Sequence, residues 1–183
     1  MNTSLNLLVV EDSADDSLLL VHELKSAGFE PVWRRVDTEA DFLAAIQEPP
    51  DLILSDYSMP QFNGLRAAKL LQESGRDIPF ILVSGTVGEE LAVEAMKCGA
   101  TDYLLKDRIT RLGVAVRQAL EQKQLRAERA RAEAEVRAQL NELRRWHEVM
   151  LDREEHILVL KNEVNELLGR LNLPPRYSTP KAL

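Results

Sequence analysis

The sequence predicts an α/β fold, built on a five-stranded parallel sheet with helices on both faces. Five short apolar segments, each of the length of a buried strand, alternate with segments of about ten residues that carry apolar side chains at helical spacing. Strands and helices that alternate in this way are joined by right-handed crossovers, so the sheet is parallel and covered on both sides. In such sheets a ligand site lies beyond the carboxyl ends of the strands.

The strands are assigned from apolar runs that stop at polar or charged residues. The first stops at Glu11, the third follows a pair of prolines and ends at Asp56, and the second is weaker because Arg34 and Arg35 interrupt it. The predicted strands are residues 5–10, 32–36, 52–56, 79–84 and 102–105. The predicted helices are residues 15–26, 38–47, 65–72 and 89–97, and a last helix begins at about residue 110.

Composition and charge limit the class of protein. The chain has 183 residues, enough for one domain with a full core and an extension. A net charge of −7 argues against general binding to nucleic acid or membranes. The single cysteine, Cys98, excludes an internal disulfide framework and a cysteine-based zinc site. No basic leader and no run of about 18 apolar residues is present, so we expect a cytoplasmic location.

Charged and hydroxyl side chains lie at the ends of four of the five predicted strands, at one edge of the sheet. They are Glu11, Asp12, Asp56, Ser84 and Lys106. Three converging carboxylates raise one another's pKa unless a cation joins them, and Mg²⁺ accepts carboxylates while it keeps waters and phosphate oxygens. Lys106 offers a positive charge and Ser84 a hydroxyl to a phosphoryl oxygen. The set fits phosphoryl transfer with Asp56 as nucleophile, although an aspartate at this position could also cap the following helix.

On these residues the sequence resembles the receiver domains of two-component response regulators. The resemblance covers residues 5–120 and is carried by the motifs Leu-Val-Val-Glu-Asp, Ser-Asp-Tyr-Ser-Met-Pro with a following Asn-Gly, Leu-Val-Ser-Gly, and Asp-Tyr-Leu-Leu-Lys. It implies a flavodoxin-like sheet with strand order 2-1-3-4-5. It also implies that Asp56 is phosphorylated by a sensor histidine kinase or a phosphotransfer protein, and that the protein is a phosphoacceptor rather than an enzyme in the usual sense.

The resemblance also implies roles for the other site residues. Asp12, Asp56 and the backbone carbonyl of Ser58 are expected to ligate Mg²⁺, and Glu11 to act mostly through water. Ser84 and Tyr103 are expected to form the switch pair that responds to phosphate.

Two positions depart from the family pattern, since Glu11 stands where aspartate is commoner and Asp107 stands where proline usually follows the lysine. The small side chains of Ser58 and Thr86 leave the site open to water, from which we expect self-hydrolysis of the phosphoryl group that is not especially slow.

The segment after residue 110 is predicted to be one long helix that pairs with a second copy. It has no proline before Pro174 and is rich in strong helix formers. Its apolar residues recur at heptad spacing, and we call the following nine the seam: Val136, Leu143, Trp146, Met150, Ile157, Leu160, Val164, Leu167 and Leu171. β-Branched residues in one column and leucines in the other favour a parallel two-stranded coiled coil, which Gln139 and Arg153 interrupt.

The predicted organisation is a receiver at 1–120, a coiled-coil dimerisation and signalling segment at 121–172, and a flexible tail with prolines at 173–183. We expect a homodimer without a DNA-binding or catalytic output domain. Three alternatives remain: the receiver and signalling helix of a longer hybrid kinase, a degenerate receiver used as a scaffold, or a DNA-binding regulator acting through the basic segment 117–145. Interspersed glutamates disfavour the last, because DNA-facing helices present a continuous positive surface.

Overall fold

The structure is a computed structural model that describes residues 3–85 and 88–178. The elements, in chain order, are β1 (Thr3–Val10), α1 (Ala14–Ser26), β2 (Phe29–Val36), α2 (Glu39–Ala45), β3 (Leu52–Asp56), α3 (Gly64–Glu73), β4 (Phe80–Ser84), α4 (Glu89–Lys97), β5 (Asp102–Leu105), a 3₁₀ helix (Lys106–Arg111) and α5 (Leu112–Arg170). Every predicted strand and helix is present, and the 3₁₀ helix is the element that the sequence did not predict.

The five strands form one parallel sheet in the order β2-β1-β3-β4-β5, as predicted. All residues of β3 and β4 are buried, because both faces of the central sheet are covered. β2 begins at Phe29, three residues earlier than predicted, and includes Pro31. Proline is tolerated there because β2 is an edge strand, whose outer N–H groups have no ladder partner.

Two hydrophobic clusters fill the space on the two sides of the sheet. Leu7 and Val9 of β1 point to the cluster formed with α1 and the first turns of α5, whereas Leu8 and Val10 point to the cluster formed with α2, α3 and α4. Successive side chains of a strand alternate between faces, so a strand buried on both sides must be apolar throughout. This is why β1 reads as a continuous apolar run.

The start of α5 is fixed against the domain by close packing and by basic side chains. A Cβ atom added to Gly113 would lie 2.3 Å from Cβ of Ala27, so this glycine lets α5 approach the end of α1. The Arg117 guanidinium donates to the carbonyl oxygen of Ala27 at 3.0 Å. Further along, Arg126 pairs with Asp77 at 2.8 Å. These contacts hold α5, as far as Arg126, to the end of α1 and to the loop before β4.

The chain passes directly from β5 into the 3₁₀ helix at Lys106. Asp107 is the second residue of that helix, at the position where the family usually has proline. All peptide bonds between the residues that the structure describes are trans. Arg108 departs from helical backbone angles, with φ −115° and ψ 30°, so the segment bends before α5 begins. Asp107, which replaces the usual proline, therefore lies within the 3₁₀ helix that was not predicted.

The chain divides into two compact units, Met1–Ala127 and Glu128–Leu183. In the second unit the seam residues are all exposed, from 38% at Val164 to 69% at Leu143 and Leu171. No helix in the described part of the chain is both long enough and apolar enough to cross a membrane.

The end of α5 is closed by a hydrogen-bonded turn. Asn172 has a φ of 57°, and the N–H groups of Asn172 and Leu173 donate to the carbonyls of Gly169 and Leu168 at 3.1 and 3.0 Å. This is the Schellman arrangement, with asparagine in the left-handed position.

The residues after this turn were predicted to be a flexible tail. Within this segment, the N–H groups of Arg176 and Tyr177 donate to the side-chain amide of Asn165 at 2.9 and 3.1 Å, and the carbonyl of Tyr177 accepts from that amide at 2.7 Å. These bonds hold residues 176 and 177 against the helix. The rest of the predicted tail, residues 179–183, lies outside the described residues.

Candidate functional site

The predicted site residues lie together at the carboxyl edge of the sheet. One carboxylate oxygen from each of Glu11, Asp12 and Asp56 lies within 4.8 Å of the others. Lys106 Nζ is 3.4 Å from Glu11 Oε2 and 3.4 Å from Asp56 Oδ2. The order of the strands explains the arrangement, because β1, β3, β4 and β5 are consecutive neighbours and run in the same direction.

Burial singles out the same edge of the sheet. The buried polar or charged residues in the described part of the chain are Glu11, Ser17, Ser55, Asp56 and Ser84. Polar groups are expensive to bury, and the fold compensates each carboxylate with a hydrogen bond. Glu11 Oε1 accepts from the N–H of Ser13 at 3.1 Å, and Asp56 Oδ1 accepts from the N–H of Tyr57 at 2.8 Å. The two buried carboxylates are thus held in defined positions.

Lys106 supplies the positive charge of the site. Its ammonium group contacts Asp16 as well as Glu11 and Asp56. Burial alone lowers the pKa of Lys106, but the hydrogen bond to Asp16 and the carboxylates of Asp56 and Glu11 outweigh it, so the pKa lies above its ordinary value. The lysine is therefore a permanent cation at neutral pH.

The surroundings of Glu11 raise its pKa, and burial is the largest cause. Burial raises its pKa from 4.5 to about 7; the Ser13 N–H opposes this, the Asp56 carboxylate adds to it, and the Lys106 ammonium lowers it. Three hard carboxylate oxygens within 4.8 Å suit a divalent ion such as Mg²⁺, so the donors fit the predicted metal.

The remaining predicted residues surround this cluster. Ser84 is fully buried at the end of β4, and Tyr103 is half-buried in β5, where its ring packs against the cluster formed with α2, α3 and α4. Ser58 is exposed in the loop two residues after Asp56. Thr86, which was expected to leave the site open to water, lies outside the described residues.

The start of α3 fixes the position of the loop that follows Asp56. Asn63, and not Asp56, caps this helix, since its side chain accepts from the N–H of Arg66 at 2.8 Å. Gly64 follows, and a Cβ atom added to it would lie 2.3 Å from Leu82 Cδ1 and 2.5 Å from the carbonyl oxygen of Asp56. The glycine therefore allows α3 to begin directly against the end of β3. The alternative role of Asp56 as a helix cap is excluded.

Two residues at the site were not predicted from the sequence. Asp16, in the first turn of α1, contacts the Lys106 ammonium. Arg35, at the end of β2, donates to the carbonyl oxygens of Glu11 and Asp12. The signal for Arg35 was present, because a charged residue interrupted an otherwise apolar strand. The signal for Asp16 was its position one helical turn after Asp12, on the first turn of the helix that follows the acidic pair.

Comparison with known proteins agrees with the receiver fold. The family model for the response regulator receiver domain matches residues 7–117. The chain is 36% identical over 103 residues to the phosphate regulon transcriptional regulatory protein PhoB of Klebsiella pneumoniae, covering 55% of this chain and 44% of that protein. It is 27% identical over 113 residues to the chemotaxis protein CheY1 of Helicobacter pylori, covering 56% of this chain and 85% of that protein.

A solved structure gives the same result for the fold. The crystal structure of NtrX from Brucella abortus in complex with ADP superposes with a TM-score of 0.59 and 27% identity, covering 70% of this chain and 30% of that one. The chain belongs to the response regulator receiver domain family. It contains the receiver domain of a two-component response regulator, a class of domain that accepts phosphoryl groups and binds Mg²⁺ at an acidic pocket. It spans less than half the length of PhoB.

Proposed function

We propose that Asp56 accepts a phosphoryl group from a sensor histidine kinase or a phosphotransfer protein. The observation that supports this most directly is the position of its carboxylate, which is nearly buried, lies within 4.8 Å of two other carboxylates and is 3.4 Å from the Lys106 ammonium. An oxygen of Asp56 bonds to phosphorus while the bond from phosphorus to the donor histidine nitrogen breaks, and that nitrogen keeps the bonding electron pair.

The other residues of the site position and neutralise the phosphoryl group. Asp12, Asp56 and the backbone carbonyl of Ser58 would hold Mg²⁺, with Glu11 acting through water. When bound, the ion neutralises negative charge on the phosphoryl oxygens. Lys106 donates to one phosphoryl oxygen once the phosphate draws its ammonium away from the carboxylates. Ser84 donates its hydroxyl to another, and the ring of Tyr103 moves inward with it as the switch pair.

Intact mass after incubation with Mg²⁺ and acetyl phosphate tests the site. The wild type should gain one phosphoryl group and Asp56→Asn should gain none. The matched control is Asp77→Asn, because Asp77 is an exposed aspartate on the opposite, amino edge of the sheet, and it should behave as the wild type. A phosphoryl adduct of equal yield on wild type and Asp56→Asn would refute the assignment. Self-hydrolysis is read from the same sample, and a phosphoryl lifetime of many hours would contradict the expected rate.

We propose further that residues 121–172 pair with a second copy through the seam and transmit the state of the receiver. Nine apolar side chains in heptad register, each at least 38% exposed in the single chain, support this pairing. Crosslinks between copies along residues 136–171 that change on phosphorylation would support transmission, and crosslinks that stay identical would refute it. A longer hybrid kinase that contains these residues would show the same chemistry at Asp56, and the length of the natural protein separates the two.

A further inference from the structure

Arg35 connects the edge strand of the sheet to the backbone of the acidic pair. Its Nη1 donates to the carbonyl oxygen of Glu11 at 2.9 Å and to that of Asp12 at 3.0 Å. The same nitrogen is 3.4 Å from Asp37 Oδ2, and the Arg35 side chain is 33% exposed. One side chain of β2 thus holds two successive carbonyls of the loop between β1 and α1.

Those two bonds restrict the backbone at Asp12. The carbonyl of Glu11 lies in the peptide plane before Asp12, and the carbonyl of Asp12 lies in the plane after it. Fixing both planes fixes φ and ψ of Asp12, and with them the direction of its Cα–Cβ bond, from which the carboxylate extends. Asp12 lies between the end of β1 at Val10 and the start of α1 at Ala14, where neither a strand ladder nor a helix restrains it.

The neighbours of Asp12 are held by other bonds. The N–H of Glu11 donates to the carbonyl of Val36 at 3.0 Å, and the Glu11 carboxylate accepts from the N–H of Ser13. Asp12 itself is exposed, in contrast to the buried Glu11 and Asp56. Burial therefore restricts two of the three carboxylates, whereas the exposed Asp12 is restrained by its backbone and by its side-chain contact with Glu11.

We propose that Arg35 is a positioning residue, which orients the Asp12 carboxylate for Mg²⁺ through the two backbone carbonyls. The inference rests on the proposed function in that it assigns the acidic cluster to Mg²⁺. It does not require that Asp56 is phosphorylated, because its direct consequence is the affinity for the ion.

Simple electrostatics predicts the opposite effect, which makes the proposal testable. Removing a positive charge beside the backbone of the acidic pair should strengthen the binding of a cation. Removing a group that orients a ligand should weaken it, by about 10-fold if Arg35 acts like the outer partners of known metal ligands. The sign of the change therefore decides between an orienting role and a role as a mere charge.

Arg34 provides a matched control. It is the preceding residue of the same strand, carries the same charge, and also donates to a backbone carbonyl, that of Ala45 at the end of α2. Arg34→Gln and Arg35→Gln thus make the same chemical change and each removes side-chain bonds to the backbone. Only the second removes bonds to the acidic pair.

The experiment is a calorimetric titration of the full chain with Mg²⁺ alone. It is carried out at a temperature where circular dichroism shows each variant to be folded. Arg35→Gln should bind Mg²⁺ about 10-fold more weakly than the wild type, and Arg34→Gln should bind as the wild type does. Arg35→Lys, which can still donate to a carbonyl, should recover part of the loss. Unchanged or tighter binding by Arg35→Gln would overturn the proposal, and so would an equal loss in Arg34→Gln.

A second readout uses acetyl phosphate. In Arg35→Gln the Mg²⁺ concentration for half-maximal phosphorylation should rise by about the same factor, while the rate at saturating Mg²⁺ stays that of the wild type. A lower saturated rate with an unchanged half-maximal concentration would contradict an orienting role. If Asp56→Asn is phosphorylated like the wild type, the proposed function fails, but the Mg²⁺ titration still decides the role of Arg35.

Discussion

Replacing Gly64 by alanine tests whether close packing of α3 sets the position of Asp56. The added Cβ would lie 2.3 Å from Leu82 Cδ1 and 2.5 Å from the carbonyl oxygen of Asp56, whereas ordinary contacts begin at 3.4 Å. Leu82 is fully buried, so its methyl group has little room to move, and the second neighbour is backbone. Relief of the overlap therefore requires α3 or the end of β3 to shift.

The expected cost follows from overpacking, which destabilises well-packed cores by about 1–3 kcal/mol. Alanine regains up to about 1 kcal/mol of helix propensity, and less at the first residue of a helix. We expect a net loss of about 1–2 kcal/mol in the free energy of unfolding, or roughly 2–8 °C in Tm for a chain of this size. Because Asp56 moves with the strand end, phosphorylation by acetyl phosphate should also slow.

Urea unfolding of the receiver measures the loss. Trp33 reports on the receiver, and a Trp146→Phe background removes the signal from the second unit. Gly85→Ala is the control in the same unit, because nothing lies within 4 Å of its added Cβ, and it should change stability by less than about 0.5 kcal/mol. If Gly64→Ala unfolds at the same urea concentration as the wild type, the close approach of α3 to β3 is wrong.

Three further predictions concern other parts of the molecule. In EDTA the free energy of unfolding should fall as pH rises from 5 to 8. The pKa of Glu11 is about 7 in the folded state against an ordinary 4.5, so the folded state loses a stabilising proton over this range. Urea titrations of Glu11→Gln should lack this pH dependence, and an unchanged pH dependence contradicts the prediction. Asn165→Ala should speed tryptic cleavage after Arg176 by about 5-fold, since about 1 kcal/mol of hydrogen bonding is lost; equal rates refute the anchoring. Leu160→Asp should yield monomers in light scattering while the equally exposed Val159→Asp stays dimeric, and dimers in both exclude the seam.

The fold could be predicted from sequence because its strands are buried on both faces. Continuous apolar runs such as β1 have no alternating pattern, but their length and the helical segments between them leave few arrangements. The start of β2 was misjudged because Pro31 is unfavourable in most strands, and only the sheet order shows that β2 is an edge. The 3₁₀ helix was missed because such short helices carry no strong periodicity.

The candidate site was predictable to the extent that it depends on strand ends. Parallel strands deliver their last residues to one edge, so Glu11, Asp56 and Lys106 could be placed together without coordinates. Contacts between side chains and backbone carbonyls leave no such trace, and Arg35 was judged only as an interruption of its strand. The tail contact of Asn165 was hidden for the same reason, because a single amide on an exposed helix face has no pattern to reveal it.

The departure at Asp107 bears on the path to α5 rather than on the chemistry of the site. The ammonium of Lys106 takes its position from the end of β5, where Leu105 pairs with Ser84 in the sheet, and it reaches within 3.4 Å of Asp56 without proline at the next residue. Proline at 107 would fix φ there and remove an N–H group. With aspartate instead, the chain turns at once into the 3₁₀ helix, and the five residues 107–111 separate Lys106 from the fully buried Leu112 at the start of α5. Substitution of Asp107 should therefore alter signalling through α5 while leaving Mg²⁺ binding and phosphorylation of Asp56 unchanged.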